Sequence, residues 1–476
     1  MTMDSDLPLY NGLKNYANLK FSQFHMPGHI SGSVFPYNYG KLMCDIDLTE
    51  LPETDNLYNP VGIIEQAQKM ASRAFGADHT FFLVNGSTSG IHAMILGVLR
   101  AGDKLIVPRN CHKSVISAMA LKDIHPIFIR NEYSCEHDLV LPITPKQVAE
   151  AFAVHPDARG VLIVNPDYYG ICGDISEIGR VAHDLGKLFL VDEAHGAHFV
   201  FHPKLPTSAA AAGADIWVQS AHKTLPAFTQ AGYLHIKGNK VDPECILRVL
   251  SLLQTSSPSY ILMSSLDWAR WFMENHGEKR LSQIIYSIQN LIVDLKNKWN
   301  IKTMGDYELK EHIYALDPTR LCLDISDMST NGYEALEKIR MQKVQPEMAD
   351  FRRLVFICTV AHDSCAIKLL HKKLDIMFEN LNRSQVVLNP SSKYGSLPAQ
   401  IMSPNQAFNS IIESVQLSDS ANRVCAQAIG AYPPGIPRFC PGELIDIEGI
   451  EELFAIKNCG GNLFGVSVNG MVSVVK

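Results

Sequence analysis

The sequence predicts an α/β protein: a mostly parallel sheet covered by helices on both faces, followed by a smaller α+β domain. Three observations predict it. From residue 80 to residue 223, short and wholly apolar runs alternate with amphipathic stretches, as strands buried on both faces alternate with the helices that cover them. These apolar runs end in polar residues of chemical use. Past residue 305 the alternation stops, and strand-like runs mix with helical ones in a less regular texture.

In chain order, residues 1–20 read as an amphipathic arm, with Leu7, Leu9, Tyr10, Leu13 and Tyr16 at roughly helical spacing. Phe24-His25-Met26-Pro27-Gly28-His29 is a turn flanked by histidines. Residues 47–58 form an acidic loop with Glu50, Glu53, Asp55 and Asn56, closed by Asn59-Pro60. Ile63 to Phe75 is a helix that presents Ile64, Ala67, Ala71 and Phe75, with Gly76 as its stop. Strands are expected over 80–84, 104–107, 126–129, 160–164, 187–191 and 214–218. Helices are expected over 91–99, 115–121, 144–154 and 175–185. Residues 240–300 read as mostly helical around a loop at 256–260. The smaller domain has strand-like runs at 321–325 and 354–358 and helices at 333–341 and 366–381. A Ser, Pro, Asn and Gly stretch at 384–400 reads as a linker. Beyond it, Ala431-Tyr432-Pro433-Pro434-Gly435-Ile436-Pro437 and Pro441-Gly442-Glu443 form rigid turns. The units are therefore 1–75 (arm and substrate-side loops), 76–305 (large α/β domain), 306–385 (small α+β domain) and 386–476 (linker and C-terminal domain).

Bulk properties narrow the class. A chain of 476 residues with 46% hydrophobic and 19% charged residues is an ordinary multidomain globular protein. A net charge of -7 offers no electrostatic footprint for nucleic acid or an anionic membrane. Apolar runs such as 92–99 are too short to span a bilayer. Eleven cysteines without a C-x-x-C pair, and no secretory apolar region before the first motif, point to reduced cytoplasmic thiols.

Ligands of open α/β sheets bind beyond the C-terminal ends of the strands. Ser87, His112, Asn165, Asp192 and Lys223 each follow a strand. Asn85-Gly86-Ser87-Thr88-Ser89-Gly90 opens a helix with hydroxyls, free N–H groups and the positive end of the helix dipole, which suits a phosphate. A plain helix cap is the alternative. Asp192, at the end of a buried strand, needs a partner such as a protonated ring nitrogen. His112 can stack on a flat ring, and Ser220 and His222 can reach phosphate oxygens. Burial would lower the pKa of Lys223 and free its amine as a nucleophile, whereas an exposed lysine at a strand end would do nothing. One acid and one lysine at separate strand ends can bracket a pyridine ring, meeting its nitrogen and its aldehyde carbon. A metal site would instead need His195, His198 and a carboxylate to converge.

Together these motifs resemble the fold-type I pyridoxal-phosphate enzymes, and among them the ornithine, lysine and arginine decarboxylases. The resemblance is carried by Phe24 to His29, the 85–90 segment, Arg109-Asn110-Cys111-His112-Lys113-Ser114, Asp192-Glu193-Ala194-His195-Gly196-Ala197-His198, Ser220-Ala221-His222-Lys223 and the 432–437 and 441–443 turns, in that order over roughly residues 7–445. It implies a seven-stranded type of sheet, pyridoxal 5'-phosphate as cofactor, no metal, and decarboxylation of a basic amino acid to an amine and CO2. It implies that Lys223 carries the aldehyde and Asp192 pairs with the ring nitrogen. His112 would stack on the ring, Ala194 would pack on the opposite face, and His195 would lie beside them. Ser87, Thr88, Ser220 and His222 would hold the phosphate. Lys223, Asp192, His112 and His222 form the expected catalytic set. Glu443 is expected at the substrate's distal cation, with Asp55 and His25 as further substrate-side residues. A cytoplasmic homodimer with sites at the subunit interface is implied. The first motif begins at Phe24, so the short bacterial form is expected, without the receiver-like domain of the large members. His195 stands where the large members often carry Trp, and Asn56 stands where a second acid is common. A rival on the same scaffold is an aminotransferase or another lyase, whose carboxylate clamp would come from Arg320, Arg352, Arg353 or Arg383.

Overall fold

Seven short runs rich in Val, Ile, Leu and Phe pair into the central sheet of the computed structural model, which describes residues 8–308, 313–383, 397–432 and 435–476. The strands are β1 (His79–Leu83), β2 (Lys104–Pro108), β3 (His125–Ile129), β4 (Gly160–Val164), β5 (Leu188–Asp192), β6 (Ile216–Gln219) and β7 (Gly232–Ile236). Their spatial order is β1-β7-β6-β5-β4-β2-β3. Neighbours from β6 to β3 are parallel, whereas β7 is antiparallel to both β6 and β1. Six strands match their expected positions to within two residues. The sequence reading did not anticipate β7, whose apolar run is interrupted by His235. That imidazole is buried because Thr80 Oγ1 and Gln219 Oε1 lie 2.8 and 3.1 Å from its two nitrogens.

Side chains alternate between the two faces, as the two-residue period requires. Leu105 and Val107 of β2 pack beneath helices Gly86–Val98 and Lys113–Lys122, against Ile91, Met94, Ile95 and Val115. Ile106 points the other way, toward helices Pro145–Val154 and Ile175–Asp184, with Val148, Phe152 and Ile178. Local signals set the helix ends. Thr144 and Gln147 form a reciprocal capping box, and Gly76, at φ 71°, closes the helix Ile63–Phe75.

The small domain is a four-stranded antiparallel sheet of Lys302–Thr303, Arg320–Asp324, Arg353–Ile357 and Met348–Ala349. Helices Gly332–Met341 and Ser364–Glu379 cover it, and the long helix Glu278–Trp299 lends Ile284, Ile288, Leu291 and Leu295 to its core. Ser22–Phe24 runs parallel to Val344–Pro346, with Phe24 buried against Phe356 and His362. The N-terminal segment is thus pinned to the small domain before it crosses to the large one. The C-terminal unit pairs Ile412–Gln416 with Met471–Val475 and sets Ile429–Tyr432 between Pro437–Phe439 and Asn462–Phe464. Leu7 of the expected arm, residues 384–396 of the expected linker and Pro433-Pro434 lie outside the described residues; the arm forms a helix over Pro8–Asn18. Among the described residues no helix is long and apolar enough to cross a membrane.

Candidate active site

The C-terminal edge of the sheet opens on a cavity of about 790 Å³. Met348, Asp350 and Arg352 of the small domain and Tyr432, Ile436 and Arg438 of the C-terminal unit form its far wall. Ser87, Thr88, His112, Asp192, Ala194, His195, Ser220, His222 and Lys223 all line it. Asn165 does not. Its amide oxygen accepts from Gly173 N at 3.1 Å, which turns the side chain under the sheet edge.

Lys223 sits in a single helical turn, Ala221–Thr224, just after β6. Its Nζ is 2.9 Å from His195 Nε2. Burial pulls the amine down to about 8; Asp192 and Glu347 oppose that shift and Arg320 adds to it. Asp192 Oδ1 accepts from Ala194 N at 3.1 Å, and burial raises the carboxyl above its ordinary range despite the attraction of Lys223. Both shifts have one origin, since two ionisable groups share a space from which water is largely withdrawn.

The helix Gly86–Val98 begins earlier than expected, so Ser87 and Thr88 lie in its first turn with their N–H groups free for an anion. Ser220 Oγ donates to Ser87 Oγ at 2.7 Å across β7, which is thinnest there. A Cβ on Gly232 would stand 2.8 Å from Gln219 O and 3.5 Å from Ser87 N, filling the hollow. His222 Nδ1 lies 3.0 Å from Ala231 O, so Nδ1 carries the proton, and burial pushes the ring down to about 4. A phosphate dianion in this hollow would raise that value and let Nε2 donate as well. His112 Nδ1 accepts from Ser114 N at 3.3 Å and caps the helix Lys113–Lys122. Burial, with Lys223, Lys113 and His92 nearby, pushes this ring to about 4 and keeps it neutral and flat. Gly435, at φ 84°, backs the ring, and a Cβ there would lie 3.3 Å from its Cδ2 and Nε2. These donors, the flat ring and the buried acid fit pyridoxal phosphate.

The Phe24–His29 motif serves the lysine through its backbone. Gly28 N donates to His222 O at 2.7 Å, and Thr359 Oγ1 donates to Gly28 O at 2.7 Å. A Cβ on Gly28 would meet Leu225 O at 2.8 Å and Lys223 O at 3.2 Å. We therefore expect Gly28→Ala to displace the lysine turn and lower kcat by about 10- to 100-fold. Steady-state kinetics alongside a thermal melt would check this; unchanged kcat would contradict it.

Three expected substrate residues do not face the cavity. Glu443 is 1% exposed, ion-paired with Arg109 Nη2 at 2.9 Å and accepting from Cys440 N at 2.6 Å. It ties the C-terminal unit to the strand-end loop of β2 and cannot meet a substrate. Removing it would strand a buried guanidinium. Glu443→Ala should therefore cost about 3–5 kcal/mol of stability, read by denaturant unfolding, while KM of the folded enzyme stays unchanged. Asp55 is buried and accepts from the backbone N–H groups of Asn56, Val61, Gly62, Ile64 and Glu65 at 2.8–3.3 Å, anchoring the start of the helix Ile63–Phe75. Those bonds hold its carboxyl below the usual range although burial pushes it up. His25 Nδ1 lies 2.6 Å from Met26 O, and Met26 lines the cavity in its place.

Other residues near the lysine carried no motif. Tyr168 lines the cavity with its ring 4.8 Å from that of His195, and its hydroxyl donates to Glu347, which also accepts from Met26 N at 3.0 Å. Arg320 Nη2 lies 3.3 Å from His195 Nδ1. Of the other arginines considered as a carboxylate clamp, Arg352 and Arg353 are engaged, and Arg383 does not line the cavity. Arg353 holds Asp350 and the carbonyls of His137 and Asp138, and Arg352 holds Asp324 and Ser326. His198 turns away from His195 to Asp317, 3.1 Å off, and among the described residues no group of three or more His, Cys, Asp or Glu could hold a metal.

The chain is similar to known proteins along nearly its whole length. Residues 7–348 match the family model "Orn/Lys/Arg decarboxylase, major domain", and residues 389–461 match "Orn/Lys/Arg decarboxylase, C-terminal domain". The chain is 35% identical to an arginine decarboxylase of Bacillus subtilis (strain 168), over 99% of this chain and 98% of that protein. It is 35% identical to an arginine decarboxylase of Halalkalibacterium halodurans, over 94% of this chain and 92% of that one. Among solved structures, the Francisella novicida lysine decarboxylase LdcF superposes with a TM-score of 0.78 at 22% identity, covering 99% of this chain and 83% of that one. That likeness shows the fold.

Proposed function

The chain belongs to the ornithine/lysine/arginine decarboxylase family and is a pyridoxal-phosphate-dependent decarboxylase of a basic amino acid; from that premise we propose that arginine is its substrate and that the cavity residues divide the work as follows. The observation that carries the site assignment is the convergence of Lys223 and Asp192 on one cavity. Bound pyridoxal phosphate supplies an aldehyde for the substrate's α-amine and a ring that accepts the electrons released when CO2 leaves. Lys223 holds the cofactor through Nζ and takes it back when the product amine departs. Asp192 keeps the ring nitrogen protonated. His112 and Ala194 confine the ring from its two faces. Ser87, Thr88 and Ser220 donate to the phosphate, joined by His222 once the dianion has raised its pKa enough for the ring to take a proton from solvent. Tyr168 and His195 shield Lys223 from water.

Arginine is favoured by the two relatives above and by the far side of the cavity. There, Tyr133, Tyr333 and Tyr432 stand near Glu136, while Asp138, Asp350 and Glu452 also line the cavity but are held by Tyr133, Arg353 and Arg438. A planar guanidinium stacks flat on aromatic faces and donates paired bonds to a carboxylate, whereas a lysine ammonium binds as a point charge. The segment around the acidic loop leaves Leu42, Leu48, Leu51, Val61 and Ile63 at least 44% exposed, which supports a second copy of this chain packing there and a homodimer with the site near the interface. All eleven cysteines are free thiols, in keeping with a reducing cytoplasm and an amine-producing role such as polyamine biosynthesis. Incubation with arginine, lysine and ornithine separately tests the reading. Agmatine with equimolar CO2 is expected, with kcat/KM for arginine at least about tenfold above that for lysine. Cadaverine as the main product would overturn the choice of arginine. A 2-oxo acid would overturn decarboxylation.

A further inference from the structure

Arg320 stands at the start of the small-domain strand Arg320–Asp324 and reaches across to the large domain. It passes beside Gly170 (φ 83°), where a Cβ would come within 2.7 Å of Arg320 Cβ. Its guanidinium is buried. Among the described residues Nε and Nη1 have no hydrogen-bond partner, and Nη2 meets His195 Nδ1 at 3.3 Å. Asp167 and Asp317 attract it without a hydrogen bond, and its one side-chain hydrogen bond among the described residues is to His195.

The chemistry of donors then fixes the chain. A guanidinium only donates, so His195 Nδ1 is the acceptor and the proton of the neutral ring sits on Nε2. That Nε2 lies 2.9 Å from Lys223 Nζ. An N–H facing an amine nitrogen makes a bond only if the nitrogen offers its lone pair. We propose that His195, held in this tautomer by Arg320, keeps Lys223 as the unprotonated amine that captures the cofactor aldehyde. His195 thereby touches the reacting atom, and Arg320 is a positioning residue acting through it. The inference rests on the assignment of Lys223 as the cofactor lysine.

The surroundings support it. Lys223, Arg320, His112 and His222 all face His195 and would repel an imidazolium, and burial likewise holds the ring well below its ordinary pKa. Tyr168 packs against the ring. Asp192 and Glu347 act on Lys223 in the opposite sense, and Asp167 acts on Arg320. The neutral donor at Nε2 is therefore set against two carboxylates that favour the ammonium.

The test uses the full chain stripped of cofactor and shown to regain its yellow colour when cofactor returns. Trace acetylation of Lys223 is followed against pH by mass spectrometry, since the rate tracks the unprotonated fraction. The wild-type midpoint should lie near 8. His195→Phe changes no charge, because the ring it replaces is neutral, yet it should slow labelling at neutral pH by about tenfold or more, one pH unit being tenfold. His195→Gln should restore the wild-type midpoint, with Arg320 holding the amide oxygen and the amide N–H facing Lys223. Adding Arg320→Met to His195→Gln should abolish that rescue. Labelling of His195→Phe at the wild-type midpoint, or no rescue by His195→Gln, would overturn the proposal. So would ¹⁵N-histidine spectra showing that the resonances lost in His195→Phe belong to an Nδ1–H ring. Fixation of the cofactor to Lys223 by borohydride in the wild type tests the underlying assignment separately.

Discussion

Lys223→Ala is expected to lower kcat by on the order of 10⁴-fold, because on the proposed assignment it removes the amine that would hold the cofactor and leaves no substitute. Among the described residues lining the cavity, Lys223 is the one lysine. Borohydride treatment of the wild-type holoenzyme should attach the cofactor mass to the peptide bearing Lys223, and the variant should gain no mass there. Weak, non-covalent cofactor binding should persist, since the first turn of Gly86–Val98, Ser220 and His112 are untouched. Misfolding is not the expected cause of the loss. The folded-state pKa of about 8 lies below the ordinary lysine value of 10.5, so burying the ammonium costs stability at neutral pH. That cost is fully present below about 8 and fades as pH rises toward 10.5. The cofactor-free variant should therefore melt no lower than the wild type at neutral pH, with any advantage shrinking in alkali. Activity within tenfold of wild type, or cofactor mass still fixed at the mutated peptide, would remove Lys223 from the mechanism.

The second large effect is expected at Asp192, where Asn should lower kcat by about 10³-fold and raise the melting temperature of the cofactor-free chain. The two changes share a cause. The carboxylate is kept where a ring nitrogen can use it, in a place where burial raises its pKa above 3.8. The unfolded chain therefore releases this proton at lower pH than the folded one, and stability declines as pH climbs between the two values. Asn cannot ionise, so the cofactor-free variant should lack that decline; but it cannot hold a proton on the ring nitrogen. Paired melting curves at mildly acidic and neutral pH, with kcat on the loaded enzyme, check both halves. Wild-type turnover in Asp192→Asn would contradict the role given to this acid.

What could be read from the sequence follows from where each signal is stored. Strands buried on both faces write themselves as apolar runs, so β1 to β6 were legible. β7 was not, because His235 belongs in the core only through Thr80 and Gln219 on neighbouring strands. The expected helix began at Ile91 because Gly, Ser and Thr are poor helix formers; they occupy the first turn for the sake of the free N–H groups. The convergence of Lys223, Asp192, His112 and the Ser87–Thr88 pair on one cavity was legible because strand ends and small-residue loops mark them locally. That Glu443 and Asp55 turn to buried partners was not legible, because a carboxylate looks the same in sequence whether it meets a ligand or a buried partner. The partner of Glu443, Arg109, is 334 positions away. Arg320 and His195 lie 125 positions apart, and no spacing announces which ring nitrogen one gives to the other.

The antiparallel strand β7 also dictates an order of assembly. Within the sheet, β1, the first of its strands to leave the ribosome, pairs only with β7, the last. The β1 edge, which carries Ser87, stays unclosed until Gly232–Ile236 has been made. By then Ser220, His222 and Lys223 have already been made. A nascent chain halted before Gly232 would hold β2 to β6 and the lysine, yet could not close the hollow between Ser87 and Ser220. Long-range closure of this kind is slow. It makes the capacity to bind a phosphate a late marker of folding, one that a refolding experiment could follow through the return of yellow colour.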